Sequence, residues 1–285
     1  MNIAYAYVIN KQLHDTILGK TLKNVIANQN PHTFVWFAME PSQASQYNQI
    51  AAPEIAKYMI NNVIEKCAVF NGAQNCLYIG DRVLMSDITP RFYNALERPP
   101  KKHQLLLEFE DGSILAYSAS LGGVINLFRI DQNGLPMRAN VNFPMILSNE
   151  FTYKFFHDII LKTDLKSLSV KQFLATKNRI PGIDNNLLQD ILWDAQVNPK
   201  SKMKVLNEEE YHRIYNSIKT VTREIISVGG KDTDKDLFGN YGGFKTKVSK
   251  NTYEKPCARC GTNIMKEAYL GGAIYYCPQC QKVKA

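Results

Sequence analysis

Apolar positions first recur at helical spacing. Ile9, Leu13 and Ile17 fall on one face between Ala4 and Leu18, and Gly19 follows where a helix tends to stop. This predicts an amphipathic N-terminal helix. After it the period shortens. Residues 20–26, 33–37, 76–79, 105–109, 114–117 and 124–128 are short runs rich in leucine, β-branched and aromatic side chains, with turn formers between them. Glu110, Asp111, Gly112 and Ser113 read as a hairpin turn. The pattern predicts an α+β fold opening with an antiparallel β-sandwich over residues 1–135, with one helix laid on it. Gly, Pro and Asn from Asp131 to Pro144 mark a linker, and the spacing beyond it is helical again. Ser148 is placed to cap a helix running through about Lys162. Asn207 with Glu210 makes a capping box for a second helix, through Tyr211, Ile214, Ile218, Val221 and Ile225 to Gly229 and Gly230. Residues 145–240 are therefore expected to form a helical domain. His157 and His212 lie in its helices and read as packing or surface residues.

Cysteine placement adds a third module, residues 250–285. Cys257 and Cys260 form one Cys-x2-Cys pair and Cys277 and Cys280 another, with sixteen residues between them. Each pair puts two thiolates on one tight turn, and two such turns across a short hairpin complete a tetrahedral sulfur shell for one structural zinc ion. Residues 273–276 supply a β-prone strand into the second turn. Two disulfides, or four unrelated thiols, are the competing readings. The other two cysteines, Cys67 and Cys76, could pair across a hairpin, although reduced thiols suit a cytoplasmic protein better. No run of about eighteen apolar residues occurs and the first residues lack a basic segment, so neither a membrane span nor a secretion signal is expected.

Charge changes the picture again. The formal net charge is +8. Residues 1–150 carry 12 Lys and Arg against 12 Asp and Glu, whereas residues 151–285 carry 22 against 14, so the whole excess lies in the half with the cysteines. A concentrated positive excess favours a polyanionic partner such as nucleic acid, and solubility alone is the bland alternative. Within that half, residues 171–199 read as a helix ending near Lys177, a turn at Pro181 and Gly182, and a second helix opening at Asn185. Backbone amides at that opening, beside Lys171, Lys177 and Arg179, would make a phosphate cradle. Lys245 and Lys247 are further candidate cations approaching the cysteine hairpin.

This stretch resembles the helix-two-turn-helix of the formamidopyrimidine-DNA glycosylase and endonuclease VIII family, whose turn has a Gly-aliphatic-Gly-Asn signature. Gly182, Ile183 and Asn185 match it, and Asp184 stands at the second glycine. The cysteine module from Lys255 to Gln281 is similar to that family's C-terminal zinc finger, and residues 107–112 to a hairpin of its sandwich. The order of the parts also agrees along nearly the whole chain. The resemblance implies a DNA-repair protein binding damaged or abasic double-stranded DNA as a monomer in the cytoplasm, at the nucleoid. It implies Asn185 as a phosphate ligand and base excision through an N-terminal proline amine, with strand cleavage after Schiff-base formation.

At the family's reacting positions this chain departs. The Met-Pro-Glu start is here Met1, Asn2, Ile3; no lysine lies between Ala68 and Pro100; Gly272 stands where an arginine is expected before Cys277; and Ser120 to Gly123 replaces the void-filling Arg-Phe-Gly loop. Two readings follow. One is a glycosylase or abasic-site lyase with an altered active site, Met1 supplying the amine, since an α-amine titrates near 7.7–8.0 and a lysine near 10.4. The other is a catalytically inert protein that binds lesions or bent DNA. A zinc-stapled protein-interaction module with no DNA partner is a third class.

Overall fold

The computed structural model describes residues 1–28, 34–38, 52–70, 74–119, 122–136, 143–177 and 179–285. Thr33, Ser120, Leu121, Asn178 and residues 137–142 of the expected linker lie outside them. The chain divides into two compact units: Met1, 6–142 and 236–240 form the first, and 2–5, 143–235 and 241–285 the second.

The first unit contains most of helix α1 (Ile3–Ile17), strands β1 (Leu22–Ala27), β2 (Phe34–Ala38), β3 (Ile64–Phe70), β4 (Gln74–Ile79), β5 (Arg82–Ser86), β6 (Pro90–Tyr93), β7 (Leu105–Phe109), β8 (Ile114–Tyr117) and β9 (Gly122–Arg129), and a short helix α2 (Ala52–Lys57). Ile9, Leu13 and Ile17 of α1 are wholly buried, as their spacing predicts, and Gly19 at φ 79° ends the helix. One sheet has the order β1-β7-β8-β6 and the other β2-β9-β5-β4-β3. Among the described residues the strands of these two sheets pair antiparallel, as expected of the sandwich, except β2 with β9, which is parallel. Strands β3, β5 and β6 carry no clean two-residue alternation. In the five-stranded sheet Leu77, Ile79, Leu84 and Leu127 are buried on one face, while Cys76, Tyr78, Val83, Met85 and Phe128 form a cluster on the other. Covered on both faces, β5 needs no polar face and so shows no alternating signal, whereas β3 keeps Glu65 and Lys66 exposed beside a register shift.

Register also settles the two outlying cysteines. Cys67 pairs with Leu77, and Ala68 with Cys76. Partners across a ladder share a face and neighbours along a strand do not, so Cys67 and Cys76 project to opposite sides of the sheet and cannot bridge. Burial pushes the Cys67 thiol up to about 12, which keeps it protonated and inert.

The second unit is helical: α3 (Tyr153–Leu161), α4 (Val170–Ala175), α5 (Asn185–Asp194), a 3-10 turn (Met203–Val205) and α6 (Glu208–Ser227), followed by the hairpin β10 (Met265–Tyr269) and β11 (Gly272–Tyr276). Helix α3 is capped by Thr152, whose hydroxyl accepts from the Phe155 amide at 3.1 Å. Ser148, the expected cap, sits instead in a turn closed by its own amide on the Met145 carbonyl. The capping box of α6 is as expected: Asn207 accepts from the Glu210 amide at 2.9 Å and Glu210 returns the bond to the Asn207 amide at 3.0 Å. His157 bonds Glu208 and His212 stacks on Tyr153 with ring centroids 3.4 Å apart, so each histidine links α3 to α6, His212 at the surface. Helix α5 is the axis of the unit, with Leu187, Leu188, Ile191, Leu192 and Trp193 all buried. Lys231 and Asp190 form an ion pair at 2.6 Å that is almost fully removed from solvent. The Lys231 ammonium also donates to the Asn186 carbonyl and side-chain oxygen, and Asp190 accepts from the Lys247 amide, so both charges are satisfied internally.

Candidate functional site

The turn between α4 and α5 is assembled from local chemistry. Helix α4 opens with a capping box, the Ser169 hydroxyl accepting from the Gln172 amide at 3.2 Å. Its other end is closed by Arg179, whose guanidinium donates to the Gln172 carbonyl at 3.0 Å and the Thr176 carbonyl at 3.3 Å. Lys177 takes a left-handed φ of 55° and Gly182 one of 93°, reversing the chain twice before α5. Asp184 caps α5, accepting from the Leu187 amide at 2.8 Å. A carboxylate at a helix N-terminus is stabilised by the unsatisfied amides there, and such a cap contributes about 1 kcal/mol.

Residue 2 joins this turn. The Asn2 side chain is buried; its oxygen accepts from the Tyr5 amide at 3.0 Å, capping α1, and its amide donates to both carboxylate oxygens of Asp184 at 3.2 and 3.3 Å. The Ile3 amide donates to the Gly182 carbonyl at 2.9 Å. Two departures from the family pattern, Asn2 and Asp184, thus touch each other. Sequence reading does not single them out as a pair, because nothing local joins residues 182 positions apart.

The cysteine hairpin is latched to the same turn. Lys171 donates its ammonium to the Tyr269 carbonyl at 2.7 Å, Asn185 its amide to the Ala273 carbonyl at 2.9 Å, and Gln189 accepts from the Tyr275 amide at 2.6 Å. Lys200 completes the set with Glu267 at 2.7 Å. The sequence predicts Lys171 as an exposed phosphate contact; it is 4% exposed, and burial lowers its pKa. A lysine side chain lying along a helix surface can reach a backbone carbonyl, which single-sequence reading does not reveal. Lys177 and Lys245 are exposed, Arg179 and Lys247 half-buried. The side-chain oxygen of Asn185 is shielded from solvent and has no hydrogen-bond partner. A Cβ on Gly272 would lie 3.8 Å from the Lys171 ammonium and 4.0 Å from the Asn185 amide, in ordinary van der Waals contact with both, so a side chain at the missing arginine's position would start without a clash.

At the hairpin tip Leu270 and Gly271 form a two-residue turn with φ of 52° and 75°. Two positive φ values make this a type I′ geometry, which favours Asn-Gly. A leucine there costs about 1–2 kcal/mol of backbone strain.

The four sulfurs of Cys257, Cys260, Cys277 and Cys280 all lie within 4.8 Å of one another, with Cys260 to Cys277 at 3.4 Å and Cys257 to Cys280 at 4.0 Å. A tetrahedral sulfur shell at zinc–sulfur distances has edges of about 3.8 Å, so the cluster fits an ion of that size. Neither competing reading survives as well: two disulfides would need specific close pairs, and unrelated thiols would not converge. The Trp193 indole donates to the Cys257 sulfur at 3.3 Å, and Arg259 lies over the same indole at 4.1 Å. Hydrogen bonds from the Thr262 side chain and backbone bring the Cys260 thiol down to about 6, whereas burial pushes Cys280 up to about 12.

Met1 lies with the first unit, its sulfur accepting from the Asn75 amide at 3.4 Å. No helix among the described residues is long and apolar enough to cross a membrane.

No protein-family model matches the chain. It is 26% identical over 285 residues to the formamidopyrimidine-DNA glycosylase of Bacillus anthracis, covering 96% of each protein. It is 27% identical over 194 residues to that of Lactococcus lactis subsp. cremoris, covering 66% of this chain and 69% of the other. Among solved structures, Lactococcus lactis Fpg in complex with DNA containing an abasic site superposes with a TM-score of 0.77 at 19% identity, over 99% of this chain and 100% of that one. MutM (Fpg) from Thermus thermophilus gives 0.77 at 18% identity, over 100% of both. Taken with the turn and the four-cysteine hairpin, these similarities show that the chain shares the fold of the solved formamidopyrimidine-DNA glycosylases and resembles those enzymes in sequence over nearly its whole length.

Proposed function

We propose that this protein binds damaged or abasic duplex DNA through the turn between α4 and α5 and the hairpin latched to it, as a DNA-repair protein of the glycosylase and abasic-site lyase class with an altered active site. The observation that carries the reading is the latch itself. Lys171, Asn185 and Gln189 hold β10 and β11 against the opening of α5, so both parts of the family's DNA-binding apparatus are kept in one rigid arrangement. Asn185, Lys177, Arg179, Lys245 and Lys247 are its DNA contacts, and Lys171 acts by fixing the hairpin. One zinc ion on the four cysteines staples the hairpin; it supplies no chemistry to the reaction, and the cluster's geometry and its lowered Cys260 thiol support it.

The inert alternative has one specific observation in its favour. At the position where the family has its proline amine, this chain has a buried asparagine committed to capping α1 and holding Asp184. In that reading the DNA-holding parts remain while the reacting set is lost. In the enzymatic reading the amine comes from Met1.

Fluorescence anisotropy with an intact duplex and one carrying a tetrahydrofuran abasic analogue tests the binding. Contact with about five phosphates predicts that log K falls with log salt at a slope of about −4.5. Lys177→Ala should weaken both duplexes and flatten that slope by about one unit. A slope near zero, or equal affinity for intact and abasic duplex, would overturn the proposal.

A further inference from the structure

Leu270 is the least explained residue of the hairpin. It occupies the left-handed region at φ 52°, and its side chain is 47% exposed. Neither packing nor solubility accounts for a leucine in that place. A turn of this type is best served by asparagine or glycine, and an apolar side chain half in water gives back little of the strain. Its backbone is nevertheless held firmly. The carbonyl before it, that of Tyr269, accepts from Lys171, and the Ala273 carbonyl beyond the turn accepts from Asn185, while Tyr269 and Gly272 pair across the ladder. An apolar side chain therefore projects from a tip clamped by Lys171 on one side and by Asn185, one of the proposed DNA contacts, on the other. The neighbouring Gly272 carries no side chain to cover it.

We propose that Leu270 is a wedge that enters the DNA base stack beside the lesion, an inference that rests on the DNA-binding reading above. Apolar side chains used this way insert between base steps, partly unstack them and kink the duplex. The requirement is a large apolar group on a support that does not yield, and the latched type I′ turn supplies the support.

The test uses a duplex with a tetrahydrofuran abasic analogue and 2-aminopurine in the adjacent step, whose fluorescence rises when it unstacks. Wild type should raise that fluorescence on binding. Leu270→Gly and Leu270→Asn, both suited to positive φ, should melt no lower than wild type, abolish the rise, and weaken abasic-duplex binding about tenfold with the salt slope unchanged. Leu270→Met should keep most of the rise. If wild type binds and Leu270→Gly gives the same fluorescence and affinity, the wedge is overturned while the DNA reading stands. If wild type binds neither duplex, both fall.

Discussion

At the scale of single residues, the most informative pair is Asn2 and Asp184. Each caps a helix, Asn2 that of α1 and Asp184 that of α5, and each supplies the other's remaining polar partner. Losing either one removes a cap and costs the other side chain a polar partner, the buried Asn2 amide or the half-buried Asp184 carboxylate. Asn2→Ala and Asp184→Ala should therefore each destabilise the protein by about 1–2 kcal/mol in urea unfolding. Because they share one interaction, the double variant should fall short of the sum by at least about 0.5 kcal/mol. Strict additivity would mean the two caps act independently and the contact contributes nothing. This pair also marks what sequence reading can and cannot reach. Asn207 with Glu210 is legible because both ends of the capping box lie in one helical turn. Asn2 is not, because its second partner is remote in sequence. Lys171 misleads for the same reason: its charge is visible, but the Tyr269 carbonyl that consumes it is not.

At the scale of elements, the cysteine hairpin is the most legible part, since ligand spacing is written in four residues and needs no tertiary information. Strands β3, β5 and β6 are the least legible: β5 is buried along its whole length, β6 has four residues, and a register shift between Ile64 and Lys66 breaks the alternation of β3. The hairpin makes its own prediction. In the metal-free cluster hydrogen bonds from Thr262 bring the Cys260 thiol down to about 6, while burial raises Cys277 and pushes Cys280 up to about 12, so at neutral pH the first is largely thiolate and the last two carry protons. Zinc binds thiolate, so loading at pH 7 should release at least about two protons per ion, those of Cys277 and Cys280. Zinc affinity should accordingly rise with pH and fall on acidification. Calorimetry in two buffers of different ionisation enthalpy reads the proton count directly. Cys277→Ser should lose the metal and loosen the hairpin, because structural zinc in small modules contributes about 10–16 kcal/mol of apparent binding free energy. Full zinc occupancy and an unchanged melt in that variant would remove the site.

At the scale of the whole molecule, the chain shares the fold of the solved glycosylases, and its amines decide whether the latched turn proposed to bind DNA is joined to glycosylase chemistry. A lyase of this class needs an amine unprotonated near neutral pH to form a Schiff base with the abasic sugar. Two amines in the chain meet part of that requirement by different routes. The α-amine of Met1 is the nucleophile of the enzymatic reading. Lys171 is buried enough for desolvation to lower its pKa, although its ammonium is held by the Tyr269 carbonyl, whereas buried Lys231 is neutralised by Asp190. Borohydride reduction in the presence of abasic duplex separates the cases. If the enzymatic reading holds, a covalent complex forms through residue 1, and a short N-terminal extension abolishes it without weakening DNA binding. Trapping that survives the extension and disappears in Lys171→Ala would move the nucleophile to the hairpin latch. No trapping at all, with abasic-duplex binding intact, is the outcome expected of the inert protein. It would mean that Asn2 took over the proline's position as a structural strut, so that residue 2 now helps to hold the turn that grips DNA instead of attacking it.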